Sequence, residues 1–532
     1  MKINYEVKLI TPALTASLGV IGKDIDIVVK VDKDGKPFFN GKHIKGILRE
    51  RVSQFKLGLG EDEESVKIFI AKYFGKEGNY IKENNFNKIR FSNLVLSDDN
   101  YGIDNRYGIR IDRKTKTTVH NSLFRYEYIT AGTKFKGELE VLDSISKDDL
   151  KFILASLYHL DTLGGFKSRG IGKIEVSIEG KKLNNEKTLD EIISICLSNN
   201  LKSKSDIKGN LQKYKYKLLL KEPFILTGKE IGNYVEVRDS IQGSTIRGAM
   251  IEYFSKHGIL LENLLKIEAS EATYGKTVLA SRFITKYKIG NKKEEIDKII
   301  DSRTEIEDRE TGKGIKLERK GTTLLKAKGN EISIAINTKT KSVEDGMLFN
   351  SEYLESDKEL VGDITIPDGL IEKNREYTIY LGKMKSKGFG KAIIKFEDFE
   401  YEKSNLKERI KKLQSQANDK IITFDLQSDL ILPFNDIYNV GEQFKSLIGI
   451  LDIDFRKDKS YINTGKLGGY NIINNIRKID ELVITRGSVL TYEVTDIDKI
   501  LSKLEEVEKN GLGLRKHEGF GRIKISSERG EK

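Results

Sequence analysis

The chain has 532 residues, 38% hydrophobic and 33% charged, with 93 Lys and Arg against 81 Asp and Glu for a net charge of +12. That length exceeds one core and calls for several domains. No apolar run approaches the ~20 residues that span a bilayer, so no membrane partner is expected. The single cysteine, Cys196, excludes an internal disulfide framework and a cysteine-based zinc site. The opening "MKINYEVKLITPAL" alternates like a strand and has no signal-peptide core, which points to the cytoplasm. The positive excess favours an acidic partner such as nucleic acid.

In chain order, a strand begins at Tyr5. The stretch "GKDIDIVVKVDKDGKPFF" then gathers Asp24, Asp26, Asp32 and Asp34 in one loop. "GKHIKGILRE" (Gly41–Glu50) opens a helix whose Ile44, Leu48, Val52 and Phe55 share one face. Lys42, Lys45, Arg49 and Arg51 sit on or beside it. The exposed N–H groups of a helix start can receive phosphate, and His43 is placed there for phosphate contact or proton transfer. A second helix follows, with Ser146 as its cap and Ile153, Leu157 and Leu160 as its stripe. "GFKSRGIGKI" then leads into a strand. Strand–helix–strand–strand–helix–strand order is ferredoxin-like.

The plan repeats. "YKYKLLL" at Tyr214 restarts it, and "GSTIRGAMIE" (Gly243–Glu252) parallels the first helix, with Arg247 the counterpart of Lys45. "SKGFGKAIIKF" (Ser386–Phe396) parallels the first glycine loop, and "HEGFGRIKI" (His517–Ile525) is a third copy. Such loops present consecutive N–H groups that suit an anion. Their cations and glycines give phosphate-binding candidates: Lys167, Ser168, Arg169 and Gly170; Lys385, Lys387 and Gly388; Lys516 and Arg522. Preserved order and spacing indicate a duplication. The domains expected are 1–180, a linker 181–213, 214–402 with a charged insertion about 286–320, a charged helical linker 403–420, and a third ferredoxin-like region 421–532. The fold class is α+β, with tandem ferredoxin-like (RRM-like) domains.

No G-x-x-x-x-G-K-[ST] loop is present, which argues against nucleotide hydrolysis. The Gly-x-Gly pairs precede strands, whereas a dinucleotide fingerprint follows a strand and opens a helix.

Taken together, "GKPFFNGKHIKGILRE", "YGIRIDRKTKTTVHNSLFRYEYITAGTKF" and "LGGFKSRGIGKIEV" resemble a backbone subunit of type III CRISPR effector complexes, the RAMP superfamily. "GSTIRGAMIEYF", "KSKGFGKAIIKF", "LQSDLIL", "VITRGSVLTYEV" and "GLGLRKHEGFGRI" resemble a second, III-D-like cap or backbone RAMP family. The resemblance implies RNA-binding domains lined along a CRISPR RNA, complementary target RNA as a second partner, and assembly with other RAMP subunits and a large polymerase-like subunit. Ile25-Asp26, Asp32 and Pro37-Phe38 match the register of the family's target-slicing loop, although Ile27-Val28 replaces its usual Ser-Pro. Asp26 is thus the expected catalytic residue and metal ligand of an endoribonuclease. It would act with Mg2+ or another divalent ion, or help deprotonate a ribose 2′-OH. The alternatives are a non-catalytic scaffold subunit of the same complex and a CRISPR RNA-processing endoribonuclease. Three loops and two helix motifs argue against the latter, whose family has one terminal loop and about half the length.

Overall fold

The structure, a computed structural model, describes residues 1–18, 25–32, 34–75, 88–142, 145–181, 186–198, 210–238, 240–274, 284–289, 292–297, 299–300, 306–307, 314–315, 318–319, 327–336, 343–355, 359–399, 405–433, 439–471, 476–527 and 529. The chain forms two compact units. The first is Met1–Ser203 together with Gly382–Lys391, and the second is Lys204–Leu381 together with Ala392–Lys532. No helix among the described residues is long and apolar enough to cross a membrane.

In the first unit, alternation along β1 (Lys2–Leu9) buries Ile3, Tyr5, Val7 and Leu9. Helix α1 (Gly41–Gly58) buries Ile44, Leu48 and Val52 on one face. β2 (Ile89–Phe91), β3 (Lys134–Val141), α2 (Lys147–Tyr158) and β4 (Ile174–Ile178) complete the motif. The sheet order β2-β3-β1-β4 is that of a ferredoxin-like fold, with β1 antiparallel to both neighbours. Ser146 caps α2 by accepting from Asp149 N at 3.1 Å.

The second unit carries the same order twice. β5 (Leu211–Leu220), α3 (Gly243–Lys256), β6 (Glu268–Ala269), β7 (Leu360–Pro367), β8 (Tyr377–Tyr380) and β9 (Lys391–Asp398) form a sheet ordered β6-β7-β5-β9-β8. Here an edge strand, β8, stands where the first repeat has its second helix. β10 (Ile421–Leu426), α4 (Val440–Ile448), β11 (Ile453–Phe455), β12 (Val489–Val494), α5 (Ile497–Asn510) and β13 (Ile523–Ile525) form a sheet ordered β11-β12-β10-β13. Each of the three repeats has its own apolar core.

Two stretches expected to be linkers belong to cores. The helix Glu186–Ser198 buries Leu189, Ile192 and Ile193 with the first repeat. The helix Leu406–Ala417 buries Leu406 and Ile410 with the third, and its Arg409 pairs with Glu508 at 2.6 Å. Their high charge marks only the outer face of amphipathic helices. About half of the insertion expected about 286–320 lies outside the described residues, as does Asp24.

Candidate nucleic-acid interface

The three glycine loops have one backbone. Phe166, Met384 and Arg515, which have no sequence in common, all take left-handed φ of 55–58°. Gly170, Gly388 and Gly519 follow at 77°, 85° and 86°. A non-glycine residue in this region is uncommon, so three copies at one register identify the loop as a fixed structural piece. The glycine periodicity signalled the loop in the sequence; nothing signalled the left-handed residue.

In the first unit, loop segment Gly382–Lys391 lies against the start of α1. The helix cap, Asn40, makes no side-chain capping bond. Instead Gly41 N donates to Asn93 Oδ1 at 2.8 Å, and Lys42 N donates to the carbonyl of Lys387 at 3.1 Å. Asn93 Nδ2 donates in turn to Gly388 O at 3.0 Å. Two donors that the sequence assigned to phosphate are therefore bound within the chain. Satisfying them is what a helix start requires, and a carbonyl at the positive end of the dipole serves as well as an anion. Sequence reasoning missed Asn93 because a lone Asn after a strand carries no pattern.

The side chains are arranged differently. Lys45 is 6% exposed and donates Nζ to Ser386 Oγ at 3.2 Å. Burial, then the charges of Lys387 and Arg49, bring its pKa down to about 7. Lys387 is lowered as well, by desolvation first and then by Lys42 and Arg49. Lys42, Lys45, Arg49 and Lys387 thus form a cluster in which burial first, and neighbouring cations second, disfavour the ammonium of Lys45 and of Lys387. Mutual repulsion of this kind is relieved by an anion.

The other glycine loop of the unit reaches the same helix by another route. His43 Nε2 accepts from Gly164 N at 3.0 Å, and its ring stacks on Phe39. Burial, with the charges of Lys167 and Lys42, lowers its pKa to about 4. His43 is therefore a neutral acceptor that holds the loop, in place of the phosphate or proton-transfer role its position suggested. In that loop Lys167–Arg169, including Ser168, makes one 3-10 turn, and Arg169 lies 4.4 Å over the Phe166 ring. Lys167 is lowered mainly by desolvation, with Glu50 and Asp161 opposing. Arg51 is ion-paired with Asp161.

The candidates in the second unit are engaged otherwise. Arg247 donates to the carbonyls of Ile267 and Leu265 at 2.6 and 2.7 Å, which anchors the turn after α3. In the third loop Glu518 stands where Lys387 and Arg169 stand in the others. Arg515 pairs with Glu481 and Glu518, Lys478 with Glu518 at 3.0 Å, and Arg522 with Asp363 at 2.7 Å. Lys516 is exposed beside them. This loop is charge-compensated.

Asp26 is exposed, beside the short strand Ile27–Val29. Its Oδ2 accepts from Arg125 N at 2.8 Å, and its own N donates to Arg125 O at 2.9 Å. Asp32 Oδ1 accepts from Asp34 N and Lys36 N, both at 2.9 Å, so it closes a turn. Among the described residues no three His, Cys, Asp or Glu side chains converge as a metal-binding group.

Three ferredoxin-like repeats, each closed by the same glycine loop, define a protein of tandem α+β modules. Residues 6–175 match the family model of the RAMP superfamily, so the first repeat carries the RAMP signature. No curated protein matches the chain. Among solved structures, a chain of the Type III-B Cmr-beta complex bound to cognate target RNA is 14% identical, over 36% of this chain and 98% of that one, with TM-score 0.28. A chain of the same complex with target RNA and AMPPnP is 16% identical, over 55% and 88%, at 0.31. A chain of a Type IV-B CRISPR complex is 13% identical, over 35% and 93%, at 0.26.

Proposed function

We propose that the chain is a CRISPR RNA-binding subunit of a type III effector complex in the cytoplasm, and that the first repeat grips the guide backbone through Lys42, Lys45, Arg49 and Lys387. The observation that carries this reading is the placing of Lys45 and Lys387 among other cations, where desolvation first and then the charges of Lys387, Lys42 and Arg49 hold the two ammonium groups below their ordinary pKa. A polyanion removes that repulsion, and backbone contacts position a strand without reading its sequence. Base pairing then does the reading, as suits a guide carrier. The RAMP match over residues 6–175 supports the same assignment for the repeat that holds the cluster. Other RAMP subunits and a large polymerase-like subunit are the proposed protein partners, and complementary target RNA the second nucleic acid.

Asp26 is the proposed residue for target cleavage, with its carboxylate as proton acceptor for a ribose 2′-OH. Its exposure and its match to the slicing register support that role. Photocrosslinking of a guide-length single-stranded RNA, followed by peptide mapping, tests the binding site. Adducts are expected on peptides containing Lys42–Arg49 and Lys385–Gly388. Adducts confined to peptides of the third repeat would sink the assignment.

A further inference from the structure

Four cations are buried among the described residues: Lys45, Arg90, Arg486 and Arg529. Three of them face an acid. Arg90 pairs with Glu140, Arg486 with Glu271, and Arg529 with Asp297 and Asp425. Lys45 does not. Among the described residues its Nζ has one partner, the hydroxyl of Ser386 at 3.2 Å, and Ser386 is itself buried. The charges that act on it, those of Lys387 and Arg49, have its own sign. An uncompensated buried charge is costly, and a side chain that can shed its proton does so.

The residue type matters here. A guanidinium keeps its proton inside a protein, whereas a buried lysine gives it up readily. Arg247, at the same register of α3, stays charged and is satisfied by two carbonyls. Lys45 has a pKa of about 7. At neutral pH about half of it is a free amine, against about one part in a thousand for an ordinary lysine. A desolvated lysine beside other cations is an activated nucleophile. Those same cations favour a product that carries negative charge.

We infer that Lys45 is a site for carbon dioxide, which converts its side chain reversibly to a carbamate. The Nζ lone pair attacks the carbon of CO2, one C=O electron pair moves onto oxygen, and a proton leaves the nitrogen for solvent. R-NH2 and CO2 thus give R-NH-COO− and H+, with nothing oxidised or reduced. CO2 is uncharged, so it reaches a buried amine without the desolvation cost that an anionic acyl donor meets. In the product Ser386 Oγ donates to a carbamate oxygen, and Lys387 and Arg49 supply the opposite charge. On the proposed function, the carbamate would occupy the cations that guide RNA uses. The adduct itself does not depend on RNA binding, and its failure would leave the proposed function standing.

The test is carbon-13 NMR of the full chain, free of RNA, equilibrated with carbon-13 bicarbonate at neutral pH. Wild type is compared with Lys45→Arg, Lys45→Met and Lys387→Gln, each checked for its fold by circular dichroism. Wild type is expected to show a carbamate resonance that both Lys45 variants lack. A resonance common to all four proteins belongs to the α-amino group. Lys387→Gln is expected to weaken the Lys45 resonance about threefold or more, because the neighbouring cation both frees the amine and holds the carbamate. A wild-type spectrum identical to that of a folded Lys45 variant overturns the inference. So does an undiminished Lys45 resonance in folded Lys387→Gln.

Discussion

Lys42 donates its backbone N–H to the carbonyl of Lys387, from a loop far along the chain. One residue further on, His43 Nε2 accepts from Gly164 N of the other glycine loop. The start of α1 is thus held between two glycine loops, and its charge reaches solvent through side chains. On the proposed function, a phosphate there would be met by side chains, because Gly41 N and Lys42 N are already bound.

The close approach at Gly41 gives the first prediction. A methyl group there would meet Phe91 O at 2.7 Å and Ser92 O at 2.8 Å, whereas one on Gly46 of the same helix meets nothing within 4 Å. Gly41→Ala should destabilise by about 1–3 kcal/mol through overpacking. Gly46→Ala should stabilise by about 0.5–1 kcal/mol, because a mid-helix glycine costs backbone entropy. Urea titration of both variants checks this, and equal effects of the same sign would contradict it.

His43 gives a pH prediction. Its folded pKa of about 4 lies below the ordinary 6.5, so between those values the unfolded chain binds more protons than the folded one. The stability it contributes is complete above pH 6.5 and is lost as pH falls towards 4, by up to about 3 kcal/mol. His43→Gln, which can still accept from Gly164 N, should flatten that part of the profile. A wild-type stability curve of unchanged slope in the Gln variant would refute the assignment.

On the proposed function, Lys45 would link protons to RNA binding. With a free-protein pKa of about 7, it takes up a proton when an anion arrives. Affinity for single-stranded RNA should be level below pH 7 and fall as pH rises above it, by up to about tenfold per unit. Lys45→Arg keeps the charge across that range and should remove the fall. Identical pH profiles for the two proteins would show that Lys45 does not face the RNA.

Much of this was legible beforehand, and the parts that were not have physical reasons. Alternation in β1 and the stripe Ile44, Leu48 and Val52 fixed the first repeat, because burial imposes its period on the sequence. The glycine loops announced themselves by repetition. The linkers were misjudged because the charged outer faces of Glu186–Ser198 and Leu406–Ala417 hid Leu189, Ile192, Leu406 and Ile410. Arg247 and Lys45 share a register, yet one binds carbonyls and the other joins a cation cluster. Register places a side chain on a helix; the partner across from it comes from elsewhere in the chain.

Cleavage is a separate prediction. In the assembled complex, Asp26→Ala should remove one cut from an end-labelled complementary target while guide and target binding stay within about twofold, since a carboxylate is not a phosphate clamp. Asp32→Ala should act mainly on turn stability, because Asp32 Oδ1 is held by Asp34 N and Lys36 N. A complete wild-type ladder from the Asp26→Ala complex would make the first repeat a scaffold.

The most direct measurement is the salt dependence of single-stranded RNA binding by fluorescence anisotropy, for wild type and for Lys42→Glu/Arg49→Glu/Lys387→Glu. Each phosphate contact contributes about 0.7 to the slope of log affinity against log salt on a single strand. The triple variant should lose at least about tenfold in affinity and about 2 in slope, with its fold intact by circular dichroism. Equal affinity and slope in a folded triple variant would place the RNA elsewhere and contradict the account.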